Sequence, residues 1–115
     1  MALEKVADMA EIPLGCARAV DVDGHPVAVV HVADGVVKAI HNICSHQYYE
    51  LAPEGVIEEN TIECALHGSI FDLDTGAALT LPALDPIPVY VCEVVDGEVL
   101  VDVARQRNDA RPPRH

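Results

Sequence analysis

Cys64-Ala65-Leu66-His67-Gly68-Ser69-Ile70-Phe71, with the shorter Cys44-Ser45-His46 upstream, is the part of the sequence on which the fold reading turns. Residues 47–63, seventeen in all, separate the two runs. Each run joins one thiol to one imidazole, as Cys-x-His in the first and Cys-x-x-His in the second. Thiolate with imidazole suits zinc or an iron–sulfur centre, whereas hard cations prefer carboxylate oxygens. Zinc fingers group Cys with Cys and His with His, at longer gaps. One Cys and one His per loop is instead what an asymmetric binuclear iron–sulfur cluster needs, two thiolates on one iron and two imidazoles on the other. Charge accounts for the imidazoles. Two thiolates cancel the net charge of two ferric ions and two sulfides, and a neutral centre accepts an electron more readily than the dianion four thiolates would leave. A structural zinc site is the alternative reading of the same residues.

Outward from these pairs the chain reads as short strands broken by turn residues. Cys16–Val22 runs into Asp23-Gly24, His25–Ala33 into Asp34-Gly35, and Val36–His41 follows. Val89–Val95, Asp96-Gly97 and Glu98–Val103 repeat the pattern near the end. Asp-Gly between apolar runs marks a hairpin, because Gly accepts the positive φ of a tight turn. Val56–Glu58 and Thr61–Glu63 flank Glu59-Asn60 as a further hairpin, and Phe71–Leu73 leads into Asp74-Thr75-Gly76. No segment sustains a helical period; Ala7–Ile12 has room for one turn before Pro13. The expectation is an all-β chain, an antiparallel sandwich or barrel. Two stretches break the strand rhythm, Asn42–Gly55 and Ala65–Ile70, and each begins at a Cys-His pair. A Pro-punctuated loop, Leu79–Pro88, lies downstream.

At 115 residues the chain has room for one domain with a single modest core. Its only aromatics are Tyr48, Tyr49, Phe71 and Tyr90. No apolar run approaches the ~20 residues of a membrane-spanning helix. The first ten residues carry Glu4, Lys5 and Asp8 and lack the pattern of a signal peptide. A cytoplasmic location is expected, in a reducing compartment that suits thiolate ligands. The formal net charge is −12. Residues 1–104 hold 18 acids against Lys5, Arg18 and Lys38, which gives −15, and no Lys or Arg lies between Lys38 and Arg105. Nucleic acid and anionic membranes are therefore poor partners, and a protein with a basic docking patch fits better.

As an ordered set, Cys-Ser-His, Leu51, Gly55, Cys-Ala-Leu-His-Gly-Ser-Ile-Phe, Asp74-Thr75-Gly76 and Pro88-Val89-Tyr90 are highly specific. With them the chain resembles the small Rieske-type ferredoxins of bacterial aromatic-ring-hydroxylating dioxygenase systems, from about Leu3 to Val103. The resemblance implies a β-sandwich or barrel base with an inserted cluster-binding subdomain. Residues 1–104 would form a single Rieske domain, with about 42–82 as the tip; the Pro- and Arg-rich composition of 105–115 itself reads as a disordered tail. The resemblance also implies one [2Fe–2S] cluster, with Cys44 and Cys64 on the inner iron, His46 and His67 on the outer, and Ser69 as a hydrogen-bond donor to the cluster. The implied role is one-electron transport from a flavoprotein ferredoxin reductase to a terminal oxygenase in aromatic hydrocarbon catabolism. The protein would be a monomer or weak oligomer with no catalytic residues of its own.

Two departures from the respiratory Rieske proteins bear on the potential. The disulfide that braces their cluster loops falls here on Tyr49 and Leu66, so the brace is missing. Their Tyr donor is replaced by Phe71, which leaves Ser69 as the remaining side-chain donor. Fewer donors and acidic surroundings place the expected potential low in a Rieske range of roughly −150 to +300 mV. Cys16 and Cys92 match no ligand position and read as buried, inert residues. His25, His31 and His41 read as structural or surface histidines. Tyr48 and Tyr49 are read equally as a contact surface or as loop packing. The alternatives are a fixed Rieske subunit, such as the small subunit of a nitrite reductase, and a zinc-stabilised interaction module.

Overall fold

The computed structural model describes residues 3–66 and 68–113. Among the described residues there are nine strands and one short 3-10 turn: β1 (Glu4–Asp8), the turn Met9–Glu11, β2 (Ala17–Val22), β3 (His25–Ala33), β4 (Val36–His41), β5 (Val56–Glu58), β6 (Thr61–Glu63), β7 (Ile70–Asp72), β8 (Val89–Val95) and β9 (Glu98–Gln106). Six form one antiparallel sheet in the order β1-β9-β8-β4-β3-β2, and the sheet curls until β1 lies against β2 as a nearly closed barrel. The other three form a small antiparallel sheet, β5-β6-β7. This is the expected all-β architecture. No described helix is long and apolar enough to cross a membrane.

Two of the three Asp-Gly turns have positive φ at both residues, whereas at Asp34-Gly35 only the glycine does, at 73°, and the β3–β4 register shifts beside it. Asp23 and Gly24 have φ of 51° and 80°, and Asp96 and Gly97 have 51° and 77°. Positive φ at both central residues gives the turn twist that matches the flanking strands. The single helical turn for which Ala7–Ile12 has room is present, but it is shorter than that window. Ala7 lies in β1, opposite Val99, and is buried in the barrel, so only Met9–Glu11 turns helically. The Asp8 amide caps that turn by donating to Glu11 Oε1 at 2.8 Å.

β4 pairs directly with β8, Ala39 opposite Tyr90 and Ile40 opposite Val89. Everything between His41 and Val89 is thus an excursion from one sheet position to its neighbour, and it contains the small sheet. The consecutive apolar run of β3 shows how the excursion is attached. Side chains alternate across a strand, so Val27 and Val29 fill the barrel beside Val99 and Val101. Ala28 and Val30 face outward and pack with Leu51, Ile62, Phe71, Leu73 and Ile87 of the excursion. β4 divides in the same way, with Ala39 inside and Ile40 outside, and so does β8, with Tyr90 inside and Val89 outside. A strand buried on both faces loses the polar alternation of a half-exposed one. Burial pushes the Tyr90 phenol up to about 12.

A polar seam joins the same two parts. Lys38 Nζ on β4 meets Asp74 Oδ1 at 2.7 Å, Asn60 Nδ2 donates to Asp74 Oδ2 at 2.7 Å, and Arg107 approaches at 3.7 Å. The Lys38 hydrogen bond is the main reason the Asp74 carboxyl lies below its ordinary pKa. A depressed carboxylate stabilises the fold above its unfolded pKa of about 3.9, and that contribution is lost as pH falls through the folded value. Asp74 is nearly half exposed, so solvent screening holds the effect below about 1 kcal/mol. Asp74→Asn is expected to lower the urea midpoint at pH 7, with the gap to wild type closing as pH falls below about 3.9. A gap that stays constant over this range would contradict the seam.

Candidate metal centre

Three loops converge where the excursion is farthest along the chain from the barrel hairpins. The first follows β4 and is shaped by Asn42. The Asn42 carboxamide accepts from the Ala52 amide at 2.7 Å and donates to the Ala52 carbonyl at 3.5 Å, while its backbone carbonyl accepts from Leu51 N at 2.8 Å. An Asn side chain that mimics a neighbouring peptide holds a loop without a ladder. Ile43 bridges Glu50, and Cys44 N donates to Tyr49 O at 3.0 Å. Residues 45–48 are thereby pushed out as the loop tip. The loop ends at Gly55, whose amide donates to Leu51 O at 2.7 Å in a turn so tight that a Cβ would strike that oxygen.

The second loop follows β6. Cys64 N donates to Ser69 O at 2.7 Å and Gly68 N to Cys64 O at 3.0 Å, with Gly68 at φ 77°. Ser69 is fully buried. The third loop, Leu79–Pro88, lies over the other two and is tied to each. Ala83 N donates to Ser69 Oγ at 3.1 Å, and Ser45 Oγ donates to Asp85 O at 2.6 Å. Thr80 Oγ1 accepts from Ile70 N at 2.9 Å and donates to Gly68 O at 3.3 Å.

Cys44 and Cys64, each 2 % exposed, belong to one apolar cluster with Leu51, Phe71, Ala83 and Ile87. His46 is exposed, on the loop that carries Cys44. His67 lies outside the described residues. Among the described residues, no three His, Cys, Asp or Glu side chains converge as a metal site. Around this end the loops expose Tyr48, Leu66, Leu79, Leu81 and Leu84. Tyr49, by contrast, is half-buried and packs against the core.

The remaining cysteines divide. Cys16 is exposed, not buried as expected, because β2 starts at Ala17 and Cys16 belongs to the preceding turn, its amide on Pro13 O at 3.0 Å. Cys92 is half-buried, and burial pushes its thiol up to about 12, which leaves it protonated and inert at neutral pH. The chain end also differs from the expected unstructured tail from residue 105. β9 continues to Gln106, Arg107 N donates to Val89 O at 2.7 Å, and the Asn108 side chain is fully hydrogen-bonded. The cause is side-chain chemistry that a Pro- and Arg-rich composition hides. Arg114 and His115 lie outside the described residues. Sequence reasoning also missed Asn42, Ser45 and Thr80, whose only signal is a small polar residue at a loop entrance or tip.

Comparison with known proteins agrees with this architecture. The Rieske [2Fe-2S] domain model matches residues 2–91. The ferredoxin subunit of anthranilate 1,2-dioxygenase from Burkholderia cepacia is 40% identical over 78 residues, which covers 68% of this chain and 70% of the relative. The ferredoxin of carbazole 1,9a-dioxygenase from Nocardioides aromaticivorans IC177 superimposes with a TM-score of 0.82 at 35% identity, over 99% of this chain and 100% of that one. A structure described as a complex of reduced oxygenase and oxidized ferredoxin in carbazole 1,9a-dioxygenase matches with a TM-score of 0.81 at 32% identity, over 90% of this chain and 94% of that one. The chain belongs to the Rieske [2Fe-2S] domain family, and in sequence and fold it is similar to dioxygenase ferredoxins.

Proposed function

We propose that this protein carries one electron at a time from a flavoprotein reductase to a terminal ring-hydroxylating oxygenase, in the cytoplasm, through a Rieske cluster on Cys44, His46, Cys64 and His67. The observation that carries this reading is the pairing of two buried thiols in one apolar cluster with an exposed imidazole on the same loop as one of them. The donor chemistry fits. Two thiols shielded from water suit the inner iron, and an imidazole at the surface suits an outer iron facing a partner. When bound, a Rieske cluster would supply reversible one-electron chemistry.

The protein's own residues then have three tasks. The loops exclude water from the thiols. Ser69 orients a hydroxyl: its Oγ already accepts from Ala83 N, and a hydroxyl that accepts still has its own proton to donate. That proton is available to a cluster sulfur. The exposed apolar side chains Tyr48, Leu66, Leu79, Leu81 and Leu84 form the dry centre of a contact surface. Glu50, Glu54 and Asp85 lie on the same loops, which favours a partner with basic side chains around an apolar face. Because the reading places one cluster at one end, reductase and oxygenase share this surface and dock in turn.

Reconstitution tests the reading. Reduced holoprotein mixed with a ring-hydroxylating oxygenase is expected to support substrate turnover, and excess oxidised oxygenase to slow re-reduction by the reductase. Turnover unaffected by omission of the protein would overturn it. Ser69→Ala is expected to lower the reduction potential, because a donor to sulfur stabilises the more negative reduced state. Protein-film voltammetry that returns an unchanged or higher potential would remove Ser69 from this role.

A further inference from the structure

The loop that covers the candidate centre is closed at its stem from outside. Gly76 N and Ile87 N belong to a short backbone closure, with Ile87 N on Gly76 O at 2.9 Å. Across this closure sits the carboxamide of Asn108, two residues beyond β9. Its Nδ2 donates to Thr75 O and to Ile87 O, both at 2.8 Å. Its Oδ1 accepts from Val89 N at 3.1 Å and from Gln106 Nε2 at 3.2 Å. Two donors and two acceptor positions are all a carboxamide has, and every one is used. The stem is also packed closed, since a Cβ on Gly76 would strike Ile87 O and reach Asn108 Nδ2 at 2.6 Å.

Compact loops with adjoining ends hold their shape through the stem and a few internal contacts. Leu79 and Thr80 tie the start of this loop to Ile70 and Gly68, and farther along it Ala83 N reaches Ser69 Oγ and Asp85 O accepts from Ser45 Oγ, one bond to each cysteine-bearing loop. The stem at one end and the Leu79 and Thr80 bonds at the other set where Ala83 and Asp85 stand, and Ala83 N donates to the Ser69 hydroxyl. Asn108 shares no loop with Cys44 or Cys64; its carboxamide bonds Thr75, Ile87, Val89 and Gln106.

We propose that Asn108 is a positioning residue that latches the covering loop and, through Ala83, aims the Ser69 hydroxyl at the cluster. This rests on the Rieske reading above. Asn108→Asp keeps size and both acceptors but loses both donations and sets a carboxylate against two carbonyl oxygens. Asn108→Ala removes all four bonds. Lys5→Ala serves as the control, because it breaks exposed ion pairs to Asp8 and Glu98 at β1 and β9 without touching the loop.

The full-length holoprotein is compared by hydrogen–deuterium exchange and by voltammetry. Both Asn108 variants are expected to exchange the Ala83 amide roughly ten-fold faster than wild type, the factor that corresponds to losing about 1.4 kcal/mol of local hydrogen bonding. Both are expected to lower the potential, as Ser69→Ala does. In a Ser69→Ala background the Asn108→Ala shift is expected to vanish, because the two residues act on one hydroxyl. A wild-type potential in both variants, a shift that persists without Ser69, or Ala83 exchange no faster than in Lys5→Ala would each overturn the proposal. Purified wild-type protein lacking iron and sulfide would overturn the Rieske reading instead, while the exchange measurement would still report on the latch.

Discussion

Cys64→Ser is expected to leave the purified protein colourless, with iron and acid-labile sulfide reduced to near zero per chain. The Cys64 side chain is 2 % exposed in the apolar cluster it shares with Cys44. A serine hydroxyl is neutral at any working pH and supplies neither the charge nor the soft donor that ferric iron takes from thiolate. Water cannot readily substitute at so buried a position, so the defect is not repaired by a solvent ligand. Cys92→Ser is expected to retain full colour, because the Cys92 thiol is held protonated by burial and lies on β8. Cys16→Ser should do the same, from a turn before β2. Iron and sulfide analysis of the three variants separates ligand thiols from bystanders. Full cluster content in Cys64→Ser would remove that residue from the centre.

Gly76→Ala is expected to cost about 2–4 kcal/mol, a large part of the ~5–15 kcal/mol that holds a small domain folded. Two penalties add. Gly76 has φ 74°, where an L side chain loses roughly 1 kcal/mol or more. The new Cβ would also overlap Ile87 O, a backbone atom fixed by Asn108, and press Val89 Cγ2 at 3.1 Å. Gly97 provides the comparison within the same chain. Its φ is 77°, but nothing lies within 4 Å of a Cβ there. Gly97→Ala should therefore show the conformational penalty alone, about 1 kcal/mol. Urea denaturation of both variants measures the difference. Equal losses would mean that the loop stem yields freely, and the account of the covering loop would fail with it.

How legible these features are in the sequence depends on the range of the interaction that makes them. β3, β4 and β8 are legible because their Val-rich runs abut Asp-Gly turns, β3 at both ends, β4 at its start and β8 at its end. β1 is not. Its five residues are mostly polar, and what makes it a strand is Ala7 meeting Val99 across more than ninety positions of sequence. The burial of Cys44 and Cys64 follows from their places just after strands that face the core. Asn108 could not be found this way. Its partners Thr75, Ile87 and Val89 become neighbours only when β8 and β9 pair, and its surroundings in sequence read as polar tail. The exposure of Cys16 is a boundary effect of one residue at the start of β2.

The acid-rich surface acquires more definition from the structure than from composition. Lys5, Arg18, Lys38, Arg105 and Arg107 all engage carboxylates, and only Lys38 and Arg107 do so at the junction with the small sheet. The loops around the candidate centre carry Glu50, Glu54 and Asp85 and no Lys or Arg. On the proposed reading, association with a partner is expected to weaken as salt rises, and a binding constant measured across ionic strength checks it.

The central claim, a cluster held by two thiolates and two imidazoles, is tested most directly by pulsed electron paramagnetic resonance on the one-electron-reduced protein. The account predicts a single unpaired electron per chain coupled to two imidazole nitrogens. A reduced signal with no nitrogen coupling, or a protein that gives no signal and carries zinc, would contradict it.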